Sequence, residues 1–354
     1  MAENTSTINK PENNIPIIQL EPPQDEGYAW IVLISSFICS MFSRGSFASF
    51  SVFQTYYLKV MFVNEPADKI AWISTCCTSM IFGGGIFASK IVRRIGMRNT
   101  NLLASFIALT GLILASFSTQ IWQLVLTQGI IFGFGSSIYV NTNTSILTMW
   151  FNKHRGLVMG ITASGSVLGG IILIPLVNKL IDVGSISWAF RVYGIMFFVC
   201  TSICAILLKP RIPYKPLDKV IDIKLLKDPI ALPLSFGGFF IQAAIYVLVL
   251  YFPSSMMDNT GISRNTATNL YMIYNLSSFI GRIISGIISK RFDPSMIIIL
   301  DHFLSAVLMM TMWFATKNLT VYIAFMSIFG ITATPYFALS PFFKNWDTEL
   351  RINK

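Results

Sequence analysis

Ten stretches of mostly apolar residues, each about 20 residues long, constrain the fold of this chain more than any other feature. A helix needs about 20 such residues to cross the hydrocarbon core of a bilayer, because it rises only about 1.5 Å per residue. Charged residues make up 12% of the chain, about half of their share in soluble domains. The sequence therefore predicts an all-α, polytopic integral membrane protein. Its spans are expected at about 28–53, 70–89, 100–117, 121–147, 157–178, 189–208, 229–252, 267–288, 295–315 and 319–343.

The basic residues are divided unevenly between alternate connections. If the N-terminus lies in the cytoplasm, the inner segments hold 18 Lys and Arg residues and the outer segments hold five. Cytoplasmic loops carry such an excess, so both termini are expected in the cytoplasm. The plasma membrane is the expected location ahead of the vacuole, although no targeting motif separates the two. The net charge of +10 does not predict nucleic-acid binding, because the basic residues lie in short clusters between apolar spans.

The longest inner connection, 209–228, follows the sixth span and is basic and proline-containing. Six spans, a basic linker and further spans are the arrangement of carriers built from two halves, so we expect a secondary transporter that works by alternating access. The expected units are a disordered cytoplasmic tail (1–27), a six-helix bundle (28–208), a cytoplasmic linker (209–228), an incomplete bundle of four helices (229–343) and a cytoplasmic tail (344–354).

Sequence motifs of enzymes are missing from the spans. No GxxxxGK nucleotide loop, HExxH, GxSxG or pair of aspartates occurs there. The five cysteines and two histidines do not form a metal-binding pattern. No catalytic residue, metal or cofactor is therefore predicted. The expected partners are a small-molecule solute, with or without a proton, and the lipid bilayer, while the oligomeric state is left open.

The segment Trp150–Gly169 begins with a basic cluster and continues as an uncharged helix. Small residues recur along it in two rows with four-residue spacing, namely Gly156, Gly160 and Ser164, then Gly165 and Gly169. This spacing places each row on one face of a helix, where small side chains allow another helix to pack closely. The segment therefore predicts a tightly packed membrane helix that starts at the cytoplasmic surface.

Two segments resemble the signatures of the monocarboxylate porter family of the major facilitator superfamily. The first is Asp25-Glu26-Gly27-Tyr28-Ala29-Trp30, before the first span, and the second is Trp150–Gly169. The signature residues are Asp25, Gly27, Trp30, Phe151, Lys153, Arg155, Gly160, Gly165 and Gly169. The details are closer to the fungal members than to the animal lactate carriers. The resemblance implies a major-facilitator-type helical bundle that transports a small organic anion or a related solute, as a symporter.

The family that this chain resembles has twelve spans, whereas ten are counted here. By resemblance, the last two helices of the second half are missing from the sequence. The expected function is that of a secondary transporter. The alternative is a truncated, non-transporting remnant or a membrane interaction protein.

Arg282 is the first candidate for binding an anionic group. It lies in the eighth span, about eight residues or 12 Å from the inner end. An arginine at this depth is costly and is a functional candidate by default, and its planar fork can bind both oxygens of a carboxylate. Asn275 and Ser278 share its helix face. In the animal carriers that the chain resembles, an aspartate precedes this arginine by four residues, and Ser278 in its place argues against simple proton coupling.

Asp301 is a possible replacement for the missing acid, because it enters the ninth span at a depth similar to that of Arg282. Two interpretations remain open. The two residues form either a proton-responsive pair, tuned by the adjacent His302, or a static ion pair that neutralises the arginine.

Further polar candidates lie in the first and fourth spans. Arg44 continues a polar stripe with Ser36 and Ser40, and it either faces the solute pathway or extends to the membrane surface. Asn141 and Asn143 must face protein or water rather than lipid. They either line a cavity or form hydrogen bonds between helices.

By resemblance, the first, fourth, seventh and tenth spans surround the solute cavity in this superfamily. Gln242 and Tyr246 share one face of the seventh span, and Tyr336 lies in the tenth. The resemblance therefore implies that these side chains contact the solute.

Overall fold

The computed structural model describes residues 22–212, 231–262, 264–314 and 317–339. Within these ranges the chain is almost entirely helical and contains no β-strand, which confirms the all-α prediction. Residues 1–21 of the expected N-terminal tail, 213–228 of the expected linker and the whole expected tail 344–354 lie outside the described residues.

The part of the chain before the expected linker contains eight α-helices in its described residues. They are α1 (Tyr28–Ser43), α2 (Ser46–Tyr56), α3 (Ala67–Gly83), α4 (Ala88–Ala115), α5 (Ile121–Leu124), α6 (Phe132–Trp150), α7 (Arg155–Val183) and α8 (Ile186–Leu207). Two π-helical segments, Tyr57–Met61 and Val125–Ile131, continue α2 and α5, and a 3-10 turn, Gly84–Phe87, joins α3 to α4.

The part after the expected linker contains five α-helices in its described residues. They are α9 (Ala231–Thr260), α10 (Arg264–Ile288), α11 (Pro294–Leu308), α12 (Leu319–Thr332) and α13 (Pro335–Leu339). A π-helical segment, Met309–Trp313, continues α11.

Five of these helical units are long and apolar enough to cross a membrane, and four shorter apolar helices accompany them in the described residues. The longest unit, Ala67–Ala115, covers two expected spans because the helix continues through the expected inner loop and bends only at Gly96. Gly96 has φ 78°, a backbone conformation that costs little only without a Cβ. With this unit divided at Gly96, each of the ten expected spans overlaps one or more helices of the described residues.

Aromatic side chains fill the interior of each half. In the first half, the rings of Phe53 and Phe190 stack at 4.5 Å and join α2 to α8. In the second half, Phe252 of α9 packs against Phe325 of α12 at 5.2 Å. The outer surface is also apolar, and Phe303 of α11 is 70% exposed. Large apolar side chains on both the inside and the outside are expected of a bundle surrounded by lipid rather than water.

Candidate functional site

Helix α7 connects the two halves because it packs against α1, α2 and α8 on one side and against α10 and α13 on the other. The first row of small residues faces α10. A Cβ added to Gly160 would collide with the carbonyl oxygen of Arg282, and one added to Gly286 would lie 2.5 Å from the carbonyl oxygen of Gly156. We call this contact, formed by Gly156, Gly160 and Gly286, the glycine crossing.

The second row of small residues on α7 faces α1. A Cβ on Gly165 would lie 2.7 Å from the carbonyl oxygen of Phe37, and one on Gly169 would collide with that of Met41. Gly169 also meets Gly45, which lies between α1 and α2. Close packing of both rows is therefore confirmed, and each row has a partner in a different half of the chain.

Arg282 binds across the glycine crossing to α7. Its Nη1 donates to the carbonyl oxygen of Ala163 at 2.6 Å and to Ser166 Oγ at 2.7 Å, both on α7. The side chain is partly buried, and its positive charge is close enough to that of Arg44 for the two to repel each other. The guanidinium therefore lies at the boundary between the two halves.

In this arrangement of the described residues, Asp301 forms no ion pair with Arg282, which both interpretations of the pair require. The physical reason is that the Arg282 side chain reaches Ala163 and Ser166 of α7, whereas α11 packs against α12 and α13. The neighbouring His302 has its Nδ1 2.7 Å from the carbonyl oxygen of Ile298 in its own helix. Its ring lies 6.4 Å from that of Tyr336.

The other two candidates on α10, Ser278 and Asn275, differ in how far they are buried. Ser278 is buried where α10 meets Gly330 of α12, and Asn275 is partly buried. Ser278 therefore supports the contact between α10 and α12.

The polar run in α6 divides between the two roles expected for it. Asn141 is exposed and lines a cavity of ≈ 160 Å³ with residues of α4 and the Gly84–Phe87 turn. Thr142 Oγ1 donates to Asn101 Oδ1 at 2.6 Å and joins α6 to α4. Asn143 is buried beside Cys39 of α1. Of these three residues, Asn141 is the most exposed, and Thr142 also lines the cavity.

Candidates in α9 and α13 approach each other in the second half. A Cβ on Gly238 would collide with Oη of Tyr336, so these two helices are in direct contact. Gln242 lies one helical turn after Gly238 and is partly buried. The side chain of Tyr246 lies outside the described residues.

Arg44 follows the last residue of α1 and is partly buried. The two serines that precede it on the stripe are buried, with Ser36 at 0% and Ser40 at 3% exposure. Arg191, near the start of α8, is held by a different contact, in which its Nε donates to Ser116 Oγ at 3.1 Å. Its guanidinium lies 4.8 Å from the ring centroid of Phe117.

The two signature segments, about 120 residues apart in sequence, are in contact at the end of the bundle expected to face the cytoplasm. Oδ2 of Asp25 accepts hydrogen bonds from the backbone N–H groups of Asn152 at 3.1 Å and Lys153 at 3.0 Å. Oδ1 accepts from the N–H of His154 at 3.0 Å. The carboxylate therefore lies at the N-terminus of α7, where the helix dipole favours a negative charge. We call the contact between Asp25–Trp30 and Trp150–Arg155 the signature latch.

The protonation of Asp25 reflects this environment. Burial raises the pKa of the carboxyl group, but the hydrogen bonds donated by the backbone of Lys153, His154 and Asn152 lower it. The net result is a pKa below the ordinary aspartate value. Asp25 therefore remains a carboxylate at neutral pH and holds the segment before α7 in place.

Aromatic side chains complete the signature latch. The rings of Trp30 and Phe151 meet edge-on at 5.6 Å, and those of Tyr28 and Trp150 lie 5.6 Å apart. Nε1 of Trp150 donates to the carbonyl oxygen of Lys209 at 2.7 Å. The signature latch therefore joins the ends of α1, α6, α7 and α8.

Some residues of the site were missing from the sequence predictions. Gly286 was not predicted, although it lies one helical turn after Arg282 and therefore on the same face of α10. Ser166 was part of the signature but had no predicted role. Its contact with Arg282 requires the position of α10, which no local pattern contains.

Residues 32–343 match the family model of the Major Facilitator Superfamily, and the chain belongs to this superfamily. The MFS transporter asaE of Aspergillus flavus is 28% identical over 340 residues, which cover 95% of this chain and 76% of asaE. The agnestins efflux protein AgnL12 of Paecilomyces divaricatus is 30% identical over 275 residues, covering 77% of this chain and 63% of AgnL12.

The solved structure of the proton:xylose symporter XylE, bound to 6-bromo-6-deoxy-D-glucose, has the same fold at 13% identity. Its TM-score is 0.65, and the match covers 88% of this chain and 81% of XylE. Membership in the superfamily confirms that the chain is a secondary transporter that moves solutes across a membrane.

Proposed function

We propose that this transporter is of the monocarboxylate porter type and carries a small organic anion or a related solute by alternating access. The observation that supports this proposal is the position of Arg282 at the glycine crossing, where the two halves meet. A cationic fork at that boundary can bind a carboxylate through two parallel hydrogen bonds. It can also transmit binding to both halves, because its Nη1 contacts Ala163 and Ser166 of α7.

The residues 28–208 and 229–343 would then move as two units about the glycine crossing. An anion that binds Arg282 competes with α7 for its hydrogen-bond donors. Binding would thereby weaken the contact between the halves and favour the alternate arrangement. Solute binding and the change of access would be coupled through one side chain.

The remaining candidate contacts would rest on exposure and helix position. Asn275 shares the helix of Arg282, Asn141 lines a cavity, and Gln242 lies close to the contact between α9 and α13. Tyr246 completes the proposed contacts, whereas the other two candidates, Ser278 and Asn143, are buried between helices. The expected setting is the plasma membrane, with both termini in the cytoplasm.

Asp301 is the proposed proton-coupling residue, acting apart from Arg282. It lies on α11 next to His302, which faces Tyr336. Replacing Asp301 with Asn should remove the pH dependence of transport while retaining transport itself. If the dependence on pH is unchanged in Asp301→Asn, the residue has no coupling role.

Transport of a panel of labelled organic acids, with neutral sugars for comparison, tests the assignment of Arg282. Both uptake and release should be followed, because the relative AgnL12 is an efflux protein. We expect wild-type transport of at least one acid, a decrease of about tenfold or more in Arg282→Gln, and partial recovery in Arg282→Lys. Arg191→Gln is the matched control, since Arg191 is held by Ser116 within the first half and takes no part in the glycine crossing.

Two results would contradict the proposal. Transport of sugars but not of acids would place the solute in another class. The absence of transport for every solute, by a protein that reaches the membrane, would favour the alternative of a non-transporting remnant or a membrane interaction protein.

A further inference from the structure

Two arginines, one from each half, lie beside the same short stretch of α7. Nη1 of Arg282 donates to Ser166 Oγ at 2.7 Å. Arg44 immediately precedes Gly45, where an added Cβ would lie 2.8 Å from Cα of Gly169. Ser166 and Gly169 are less than one helical turn apart, or about 4.5 Å along the axis. The backbone of one arginine and the guanidinium of the other are therefore close together.

No residue of the described ranges neutralises Arg44. Its guanidinium forms neither a hydrogen bond nor an ion pair within 22–212, 231–262, 264–314 or 317–339. The buried hydroxyls of Ser36 and Ser40, which precede it on the same face of α1, have no hydrogen-bond partner in those ranges either. Unused polar groups on a buried face are expensive, and they indicate a polar ligand.

The two positive charges act on each other. The charge of Arg44 opposes that of Arg282 across the boundary between the halves. In a low-dielectric interior such repulsion is screened poorly, and it is relieved only by negative charge placed between the two groups. A monocarboxylate supplies one negative charge, which neutralises one arginine and leaves the other. A solute with two carboxylates neutralises both.

We propose that Arg44 and Arg282 form a two-point anion site, and that the solute of this transporter is a dicarboxylate rather than a monocarboxylate. This inference rests on the proposed transport of organic anions. Each guanidinium binds one carboxylate through parallel hydrogen bonds. Because Arg44 follows α1 and Arg282 lies on α10, a bound dicarboxylate bridges the two halves.

The test compares solutes that differ by one charge and little else. Succinate, glutarate and adipate are each measured against their own monoamide at neutral pH, with the whole protein reconstituted in liposomes. We expect the wild type to transport at least one diacid about tenfold faster than its monoamide, and the ratio to fall to about one in Arg44→Gln. Arg44→Lys should restore part of the ratio, because the charge returns without the fork. Arg191→Gln should keep the wild-type ratio.

The outcomes separate this inference from the proposed function. Transport of the monoamides at the same rate as the diacids would overturn the two-point site while leaving anion transport intact. A ratio that stays high in Arg44→Gln would overturn the role of Arg44. Transport of neutral sugars, with no diacid, monoamide or other organic acid carried, would overturn both proposals. If Arg44→Gln does not fold, the wild-type ratio and that of Arg44→Lys still decide the question.

Discussion

The signature latch and the glycine crossing both use α7, yet different interactions form them. In the signature latch, the carboxylate of Asp25 accepts three backbone hydrogen bonds, and pairs of aromatic rings surround it. In the glycine crossing, the backbones of α7 and α10 touch directly because Gly156, Gly160 and Gly286 have no side chains. The signature latch depends on directional hydrogen bonds, whereas the glycine crossing depends on the lack of side chains.

This difference indicates which contact stays fixed and which one changes. Directional bonds to a charged group define a single arrangement and are costly to break. A smooth surface of glycines has no interlocking side chains, so two helices can rotate against each other with small changes in contact. We therefore expect α7 to remain attached to its own half and to move against α10 during transport.

The largest expected effect comes from filling the glycine crossing. In Gly160→Ala, the new methyl group would collide with the carbonyl oxygen of Arg282, so the halves must separate. Overpacking at such a site costs about 3 kcal/mol, the upper part of the usual range. We expect at least a tenfold loss of transport, measured as initial uptake rate per molecule in the membrane.

Gly83→Ala is the matched control for this substitution. Gly83 is also helical, but a Cβ at this position has no atom within 4 Å. Alanine is the better helix former, so Gly83→Ala should be neutral or slightly stabilising. Equal transport by the two variants would show that the close approach at Gly160 does not matter for function.

The next effect concerns the carboxylate of the signature latch and should depend on pH. The pKa of Asp25 is lowered in the folded protein, so its stabilising effect is present above the unfolded value, about 4, and is lost as the pH falls through the folded value. Asp25→Asn should cost about 2 kcal/mol at neutral pH, the value of a hydrogen bond to a charged group. Thermal unfolding of the purified protein at several pH values measures this cost.

The difference between the wild type and Asp25→Asn measures the contribution of this carboxylate together with its contacts, including that to His154 Nδ1 at 3.2 Å. That difference should decrease toward zero as the solution is made acidic. A difference that is constant with pH would mean that Asp25 acts through its shape and not through its charge.

Sequence patterns were sufficient to predict the helices, but they did not predict which helices contact each other. Apolar length located the spans, and four-residue spacing identified the small faces of α7, because both are local properties. The bend at Gly96 was missed, since the basic residues around it favoured a loop while the backbone remains helical up to that point. Which helices pack against each other could not be predicted either, because this depends on residues far apart in the sequence. Arg282 contacts α7, and the expected pair with Asp301 therefore does not form in this arrangement.

The candidate site shows the same limit. The expected depth of Arg282 within its span identified it as a candidate. Its hydrogen bond to Ser166 could not be predicted, because it depends on how the two halves pack together. The signature residue Asp25 was found by resemblance alone, and only the structure gives the physical reason for its presence. Charge and polarity can therefore select residues, whereas the contacts they make depend on long-range packing.

The smallest expected effect tests the aromatic part of the signature latch. Trp150→Phe keeps a ring beside Tyr28 but removes the Nε1–H that donates to the carbonyl oxygen of Lys209. The loss of one such hydrogen bond should cost about 1 kcal/mol and leave transport nearly unchanged, since the latch stays within one half. Trp72→Phe is the control, because Trp72 is 59% exposed on the outer surface and should tolerate the change. A larger loss of transport than of stability in Trp150→Phe would mean that the latch also changes during the transport cycle, and the contrast with the glycine crossing would then fail.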